Sequence, residues 1–429
     1  MAATRLRNAK SGLLLAALLT ASMWFYVERV MIPQQVSAAA TQGSPRGNLS
    51  DLYPRWLAAR ELLLHHRDPY SPELTREIQI GYYGRALDPS RPGDPKDQQA
   101  FAYPVYVVFL MAPAVGFPFS AAQEAFRWLL LILSAALIPL WLRVFRWRPS
   151  GTVTAILVIL TLGFFPVVQG LKLQQLSLAV SGLIAGCVVM LAGGHFLLAG
   201  ILLALATVKP HLVLLLAPWL VLWACSDLRQ RRGFLIGFLG TMALLLGGAE
   251  WILPGWMGSF LKALQAYREY TGRPLSVLGT VTTPVVGTVL TVFVLIGLGF
   301  AGWRARRAQI DAPAFAVLCS LLLAATVVTI PMTALYNQAL LLPAILLLAR
   351  NIAFFRTKDA FTRAAILVAA LVFAWPWLAA LTLTGLSVLL PAAEVQKVWS
   401  APLWSSMMTP VVVLLLLVPL ASSVLQERR

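Results

Sequence analysis

Apolar stretches of about 17–25 residues, the length an α-helix needs to cross roughly 30 Å of hydrocarbon, fill most of this chain. Inside a bilayer every backbone N–H and C=O must find a partner within the protein, and a helix achieves this within one segment. A β-barrel would show short segments of alternating apolar and polar residues, a pattern the sequence lacks. With 59% hydrophobic and 12% charged residues and a mean hydropathy of +0.77, the expected fold is an all-α polytopic membrane bundle. A soluble globular domain is excluded.

The formal net charge of +17 could suggest nucleic acid, but the excess cations sit in short clusters between apolar spans. That is how loops retained on the cytoplasmic side look. No nucleic-acid partner is expected. Cys187, Cys225 and Cys319 lie in or beside different spans without metal-ligand spacing, so free thiols packed as small hydrophobes are expected. Arg5, Arg7 and Lys10 precede an apolar run from Leu13 to about Tyr26, the outline of a signal peptide, and Ser37-Ala38-Ala39-Ala40 resembles a cleavage site. The run continues to Val30-Met31-Ile32, long enough to span, so an uncleaved first helix over residues 11–32 is expected.

With the N-terminus in the cytoplasm, that helix leads into an outer, periplasmic loop over residues 33–122, followed by a helical bundle over 123–429. Between about Ser37 and Gln99 the loop carries eight of the seventeen acids: Asp51, Glu61, Asp68, Glu73, Glu77, Asp88, Asp94 and Asp97. Residues 101–118 are apolar but interrupted by Pro104, Pro113 and Pro118, which shorten any helix there. A crossing at that point would place Arg143, Arg146 and Arg148 outside, so the segment is expected to be interfacial or re-entrant. Further spans fall at 123–142, 151–168, 176–192, 196–208, 211–224, 233–253, 277–302, 313–330 and 339–348, with two more behind them. This assignment of about twelve spans gathers Arg229, Arg231, Arg232, Arg304, Arg306, Arg307, Arg350, Arg356, Lys358, Arg363, Arg428 and Arg429 on one face. Both termini are then cytoplasmic, in a bacterial inner membrane.

Asp51 stands in Asn48-Leu49-Ser50-Asp51-Leu52-Tyr53-Pro54, just ahead of a helical run from Trp56 to Leu64. Asp is a favoured helix N-cap. A carboxylate at the membrane face can also take a proton from an acceptor hydroxyl, and the two roles are compatible. The run sets Trp56, Ala59 and Leu63 on one face, with Arg55, Arg60 and Glu61 elsewhere, as in a helix lying in the interface. His65 and His66 end it; adjacent histidines on a helix point apart, so no metal site is expected there.

Lys209, in Ala206-Thr207-Val208-Lys209-Pro210-His211, lies between two apolar segments that are short for full spans. An ionisable residue at membrane depth is a functional-site hypothesis, against which stands a lysine snorkelling to the interface. The stretch Gln169-Gly170-Leu171-Lys172-Leu173-Gln174-Gln175 is expected to form an outer turn whose amides and lysine suit sugar hydroxyls and phosphate. Tyr336-Asn337-Gln338 closes a span on the same face, and Phe101-Ala102-Tyr103-Pro104-Val105-Tyr106 supplies either an aromatic belt or a sugar-stacking platform. No Gly-rich phosphate cradle follows a strand pattern, and no cytoplasmic segment is large enough for a nucleotide-sugar domain. An enzyme here would have to draw its donor from the lipid phase.

Taken in order, Asp51, the Tyr53-to-Arg60 helix ending in Asp68-Pro69-Tyr70, the Tyr103-Pro104 re-entry, Gln169 to Gln175 and Lys209-Pro210 resemble the GT-C glycosyltransferases, specifically glycosyltransferase family 87 of the polyprenyl-phosphate-mannose-dependent type. The resemblance implies a GT-C-like bundle and inverting transfer of mannose or another sugar from a polyprenyl-phosphate donor to a lipid or glycan acceptor, without metal or cofactor. It implies Asp51 as general base and Lys209, with Lys172 or Arg60, as the phosphate-binding cations. Tyr53, Tyr103, Gln169, Gln174, Gln175, His211, Tyr336 and Asn337 would line the sugar and acceptor. Two positions depart from the family pattern: Val105 stands where Pro is common, and Tyr336-Asn337-Gln338 where a His is common. The main alternative is a lipid or sugar-lipid transporter without transfer chemistry, which would hold its functional charges near the bilayer midplane rather than in an outer loop. An oligosaccharide ligase or polymerase would carry its large loop later in the chain, and a noncatalytic scaffold would use Asp51 only as a cap.

Overall fold

The computed structural model describes residues 2–426 apart from positions 45–46, 48–49, 89, 92, 273, 332 and 357–358. Asn48 and Leu49 of the Asp51 motif, Lys358, Arg428 and Arg429 lie outside the described residues, as do the side chains of Arg5, Arg7 and Arg356. Every regular element among the described residues is a helix.

Among the described residues six helices are long and apolar enough to cross a membrane: Ala9–Thr41, Phe119–Val144, Leu228–Ile252, Pro284–Ala305, Thr362–Leu389 and Ala392–Leu425. The pair Gly151–Leu162 and Phe165–Leu173, bent by 55°, passes the same test together and is either a broken span or a re-entrant loop. Leu176–Ala192, Phe196–Ala206, Leu216–Cys225, Pro313–Thr329 and Leu335–Arg350 are apolar but only 10–17 residues long. By length alone, then, the chain offers six or seven spans where about twelve are expected from hydropathy.

The broken segments are held by neighbouring helices, which is what a bilayer demands of irregular backbone. At the bend, Thr20 Oγ1 donates to the Ile159 carbonyl at 2.8 Å and Trp24 Nε1 to that of Leu162 at 3.1 Å. Gly163 permits this contact, because a Cβ there would strike the Thr20 backbone. Phe196–Ala206 crosses Leu228–Ile252 through Gly200 and Gly237, each facing a carbonyl of the other helix so closely that any side chain would collide. The first helix is 33 residues long, about 50 Å at 1.5 Å per residue, longer than the hydrocarbon is thick. Its Tyr26–Met31 turn is a π-helix, a local widening common at functional sites.

The polar loop is folded into two helices, Leu52–His65 and Pro72–Tyr83. Ser71 caps the second by accepting from the Leu74 N–H at 3.2 Å. Arg67 clamps the two together through Glu61 at 2.8 Å and Glu77 at 2.5 Å. Arg85 pairs with Asp94 behind them, and that hydrogen bonding holds the Asp94 carboxyl down to about 2. The 101–118 segment contains only the five-residue helix Val107–Met111 and a 3-10 turn, Ala112–Ala114, far short of a crossing. Trp56 Nε1 and Arg60 Nη1 donate to the Ala114 and Val115 carbonyls at 3.2 and 3.3 Å, fastening it to the Leu52–His65 helix.

Two local expectations change. Residues 169–173 of the expected outer turn are helical, as the end of Phe165–Leu173, and the chain reverses only at Gln174, whose φ is +54°. Arg55, placed by periodicity away from the packed face, is buried, because the Leu52–His65 helix is covered on both sides rather than lying on a surface.

Candidate active site

Four stretches far apart in sequence meet beside Asp51. The Asp51 N–H donates to the Leu173 carbonyl at 3.0 Å, joining the start of the Leu52–His65 helix to the end of Phe165–Leu173. Asp51 occupies the N-cap position but its side chain makes no capping bond. The carboxylate instead accepts from Gln175 Nε2 and, at 3.5 Å, from the Tyr82 hydroxyl. On its other side the Gln175 amide oxygen accepts from Lys209 Nζ at 3.0 Å and Arg55 Nη2 at 3.4 Å. The cations can only donate and the ionised carboxylate can only accept, so these partners dictate which way the amide points.

Lys209 is 2% exposed and does not snorkel. A 3-10 turn, Pro210–Leu212, interrupts the chain between the helices Phe196–Ala206 and Leu216–Cys225 and leaves the lysine pointing inward. Its Nζ donates to Ser177 Oγ at 2.7 Å and lies 4.7 Å from the centre of the Tyr336 ring. Ser177 in turn donates to Asn337 Oδ1 at 2.7 Å. Arg55, also 2% exposed, donates to the Tyr103 hydroxyl, while its Nε and Nη1 are buried without a partner. Among the described residues neither cation has an ion-pair partner.

A cavity of about 560 Å³ opens beside this cluster. Asp51, Asp97, Gln169, Lys172 and Tyr336 contribute its polar lining, and Val27, Met31, Gln35 and Ala38, one face of the first helix, contribute the opposite wall. Lys172 crosses to that wall through an ion pair with Glu28 at 2.5 Å. Gln169 Oε1 is buried there without a partner. Asp97 was not singled out by sequence reasoning. It accepts from Gln99 Nε2 at 2.8 Å and from the Tyr267 hydroxyl at 3.5 Å. Tyr267 belongs to the helix Trp256–Tyr270, which also reaches the polar loop through the Tyr270 hydroxyl, a donor to the Pro95 carbonyl at 3.0 Å. A smaller, apolar groove of about 190 Å³ runs between Tyr106, Leu183, Leu205 and Val208, the residue just before Lys209.

Of the residues singled out from sequence, Asp51, Tyr103, Gln175, Lys209, Tyr336 and Asn337 are thus brought together, with Gln169 and Lys172 along the cavity. Gln174 serves elsewhere, bonded to Gln123 and Ser50. Tyr53 packs edge-on against Phe119, ring centres 5.0 Å apart, and Arg60 lies over Trp56. His211 Nε2 is buried without a hydrogen-bond partner. Tyr103 and Tyr106 form neither a belt nor an open platform: one hydroxyl is held to Arg55 and the other donates to the Thr207 carbonyl at 2.9 Å. Arg55 was the residue missed, although its position four after Asp51 puts both on one helical face. Among the described residues no three His, Cys, Asp or Glu side chains gather as metal ligands.

An all-helical, multi-pass membrane protein that keeps an acid and two buried cations at one end is the architecture of an integral-membrane transferase. The family model for glycosyltransferase family 87 matches residues 101–331, more than half of the chain, and the protein belongs to that family. Gln175 and Lys209 lie within the matched stretch, while Asp51, Arg55 and Tyr336 lie outside it. No curated protein and no solved structure matches the chain. The protein is therefore a membrane glycosyltransferase, acting on a sugar donor and an acceptor.

Proposed function

We propose that this enzyme transfers a sugar, mannose or a related hexose or pentose, from a polyprenyl phosphate to a hydroxyl of a lipid or glycan acceptor on the outer face of a bacterial inner membrane. The observation that carries the reading is the pair of buried cations, Lys209 and Arg55, meeting at one amide oxygen beside Asp51 with no carboxylate among the described residues paired to either. Burying unpaired cations is costly unless an anion arrives to share the site. The donor's phosphodiester is such an anion, and an Arg–Lys pair offers both forked and point-charge donors to its oxygens. The apolar groove that ends at Val208 would take the first isoprene units next to that phosphate.

In this scheme the acceptor hydroxyl enters through the larger cavity and attacks the anomeric carbon. Asp51 takes the hydroxyl proton as the new C–O bond forms, and the bond from the anomeric carbon to the phosphate oxygen breaks. The electron pair leaves on the polyprenyl phosphate, where Lys209 and Arg55 hold the growing negative charge. Those contacts tighten as the leaving group departs, so they favour the transition state over the bound donor. Attack opposite the leaving group inverts the configuration. Arg55 takes the place that the resemblance gave to Arg60, and Gln175 acts inside the site rather than on the sugar. With the N-terminus inside, the five short apolar helices pair into further partial or full traverses, bringing the count toward twelve.

The test uses purified protein in lipid, a panel of polyprenyl-phosphate sugars, and total membrane lipids as acceptors, with released polyprenyl phosphate as the readout. Wild-type release that falls by about 10²–10⁴-fold in Asp51→Asn, with donor binding kept, is expected for a lost general base. Equal release by the two proteins would remove Asp51 from the mechanism. Donor binding without any turnover would favour transport instead.

A further inference from the structure

Gln175 touches both halves of the site at once, and every hydrogen-bonding position on its amide that faces them is in use. Its Nε2 donates to Asp51, and its Oε1 accepts from Lys209 and from Arg55. It stands at the N-cap of the long, almost wholly buried helix Leu176–Ala192, so its backbone has little freedom to move aside. Asp51 and Arg55 are one turn apart on the Leu52–His65 helix, the spacing at which a carboxylate and a guanidinium form a direct ion pair. They do not form one here. The amide lies between them.

We propose that Gln175 is a positioning residue, an uncharged spacer that keeps the Asp51 carboxylate from closing onto Arg55 and Lys209. A direct pair would quench the site twice. The carboxylate lone pairs would be spent on a cation instead of the acceptor proton, and the cation's donors would be spent on the carboxylate instead of the phosphate. An amide is suited to prevent this because it carries a donor and an acceptor on one planar group and no net charge. It satisfies part of each neighbour's hydrogen bonding while leaving the charges themselves uncompensated. Glutamate would neutralise the cations and repel Asp51. A shorter side chain would leave a gap that a direct Asp51–Arg55 pair can cross, and an apolar one of equal volume would leave both groups without the hydrogen bonds that hold them apart. The inference rests on the roles given above to Asp51, Arg55 and Lys209.

The experiment measures steady-state turnover of purified protein in lipid with polyprenyl-phosphate mannose as donor and total membrane lipids as acceptor. Four proteins are compared: wild type, Gln175→Ala, Arg55→Ala and the double variant. If the amide is a spacer, Gln175→Ala lowers kcat and raises the donor KM together, each by roughly tenfold or more, as expected when a residue in one network couples two groups. Removing Arg55 removes the partner onto which Asp51 would collapse. The kcat loss caused by Gln175→Ala must therefore shrink severalfold in the Arg55→Ala background. A kcat loss of the same factor in both backgrounds would overturn the proposal, since a sugar contact or a packing role is indifferent to Arg55. Gln175→Glu should raise the donor KM while kcat also falls; an unchanged donor KM would likewise sink it. Should Gln175→Ala fail to fold, Gln175→Met keeps the volume without the amide and enters the same cycle. Failure of the underlying reading looks different: Asp51→Asn would then turn over like wild type, whatever the Gln175 variants do.

Discussion

Two buried arginines occupy opposite ends of this protein, and they are not alike. Arg231, 3% exposed, sits at the start of Leu228–Ile252 and spends its donors on the chain: the Trp223 carbonyl at 2.7 Å, Ser226 Oγ at 3.1 Å, and the Arg306 and Ala308 carbonyls at 3.3 Å. Its guanidinium also lies 3.9 Å from the centre of a Trp223 ring. The carbonyls come from the C-terminal ends of two helices or just beyond them, where unsatisfied oxygens concentrate negative potential. Arg55 is as deeply buried, yet two of its nitrogens have no partner and its neighbour in the cluster is another cation. A saturated buried arginine is a clip. An unsaturated one beside a second cation and an acid is poised for an anionic ligand. Burial by itself does not separate the two; what separates them is where each donor goes.

Mutation should split them cleanly. Arg55→Ala is expected to lower turnover by about 100-fold, near 2.7 kcal/mol of transition-state stabilisation, while the thermal midpoint in detergent hardly moves. A large drop in that midpoint with normal specific activity would reverse the comparison. Arg231→Ala should do the opposite, costing about 1–3 kcal/mol of stability by stranding buried carbonyls, with the remaining folded enzyme turning over normally. Thermal unfolding and activity per folded molecule, read on one preparation, check both.

Ligand linkage sharpens the contrast. Polyprenyl phosphate added at about 100 times its Kd should stabilise the wild type and Arg231→Ala by roughly 2.7 kcal/mol each, and Arg55→Ala much less. Equal stabilisation of all three would take the phosphate away from Arg55. The smallest effect is expected in the polar loop, where charges are satisfied by one another. Asp94 is held at about 2 by Arg85, below its ordinary 3.8, so the stability tied to that pair is complete above pH 4. It should be lost as the pH falls through 2, and not on the alkaline side. Proteolysis of the 84–97 stretch, followed against pH and compared with Asp94→Asn, reports it.

Hydropathy and charge placement are properties of short windows, which is why the helical membrane class, the polar loop and the isolated Lys209 were legible in the sequence. Asp51 and Lys209 stood out because each breaks its local pattern: an acid just past a membrane helix, and a cation between two apolar segments. Arg55 did not stand out. It occurs in a helix with Arg60 and Glu61, and nothing within that window says which of the three points inward. Tyr103 and Gln175 take up its guanidinium, and they arrive from 48 and 120 residues away. Gln174 and Gln175 are adjacent and chemically identical, yet a left-handed φ at the first sends one to Gln123 and the other between an acid and two cations. The number of crossings was also undecided locally, because a window cannot see that a bend at Gly163 is supported by Thr20 and Trp24. The sequence by itself determined the solvent this chain lives in and the chemical types it keeps there. Only the tertiary structure decided which charges are left unsatisfied, since satisfaction depends on partners supplied by distant segments.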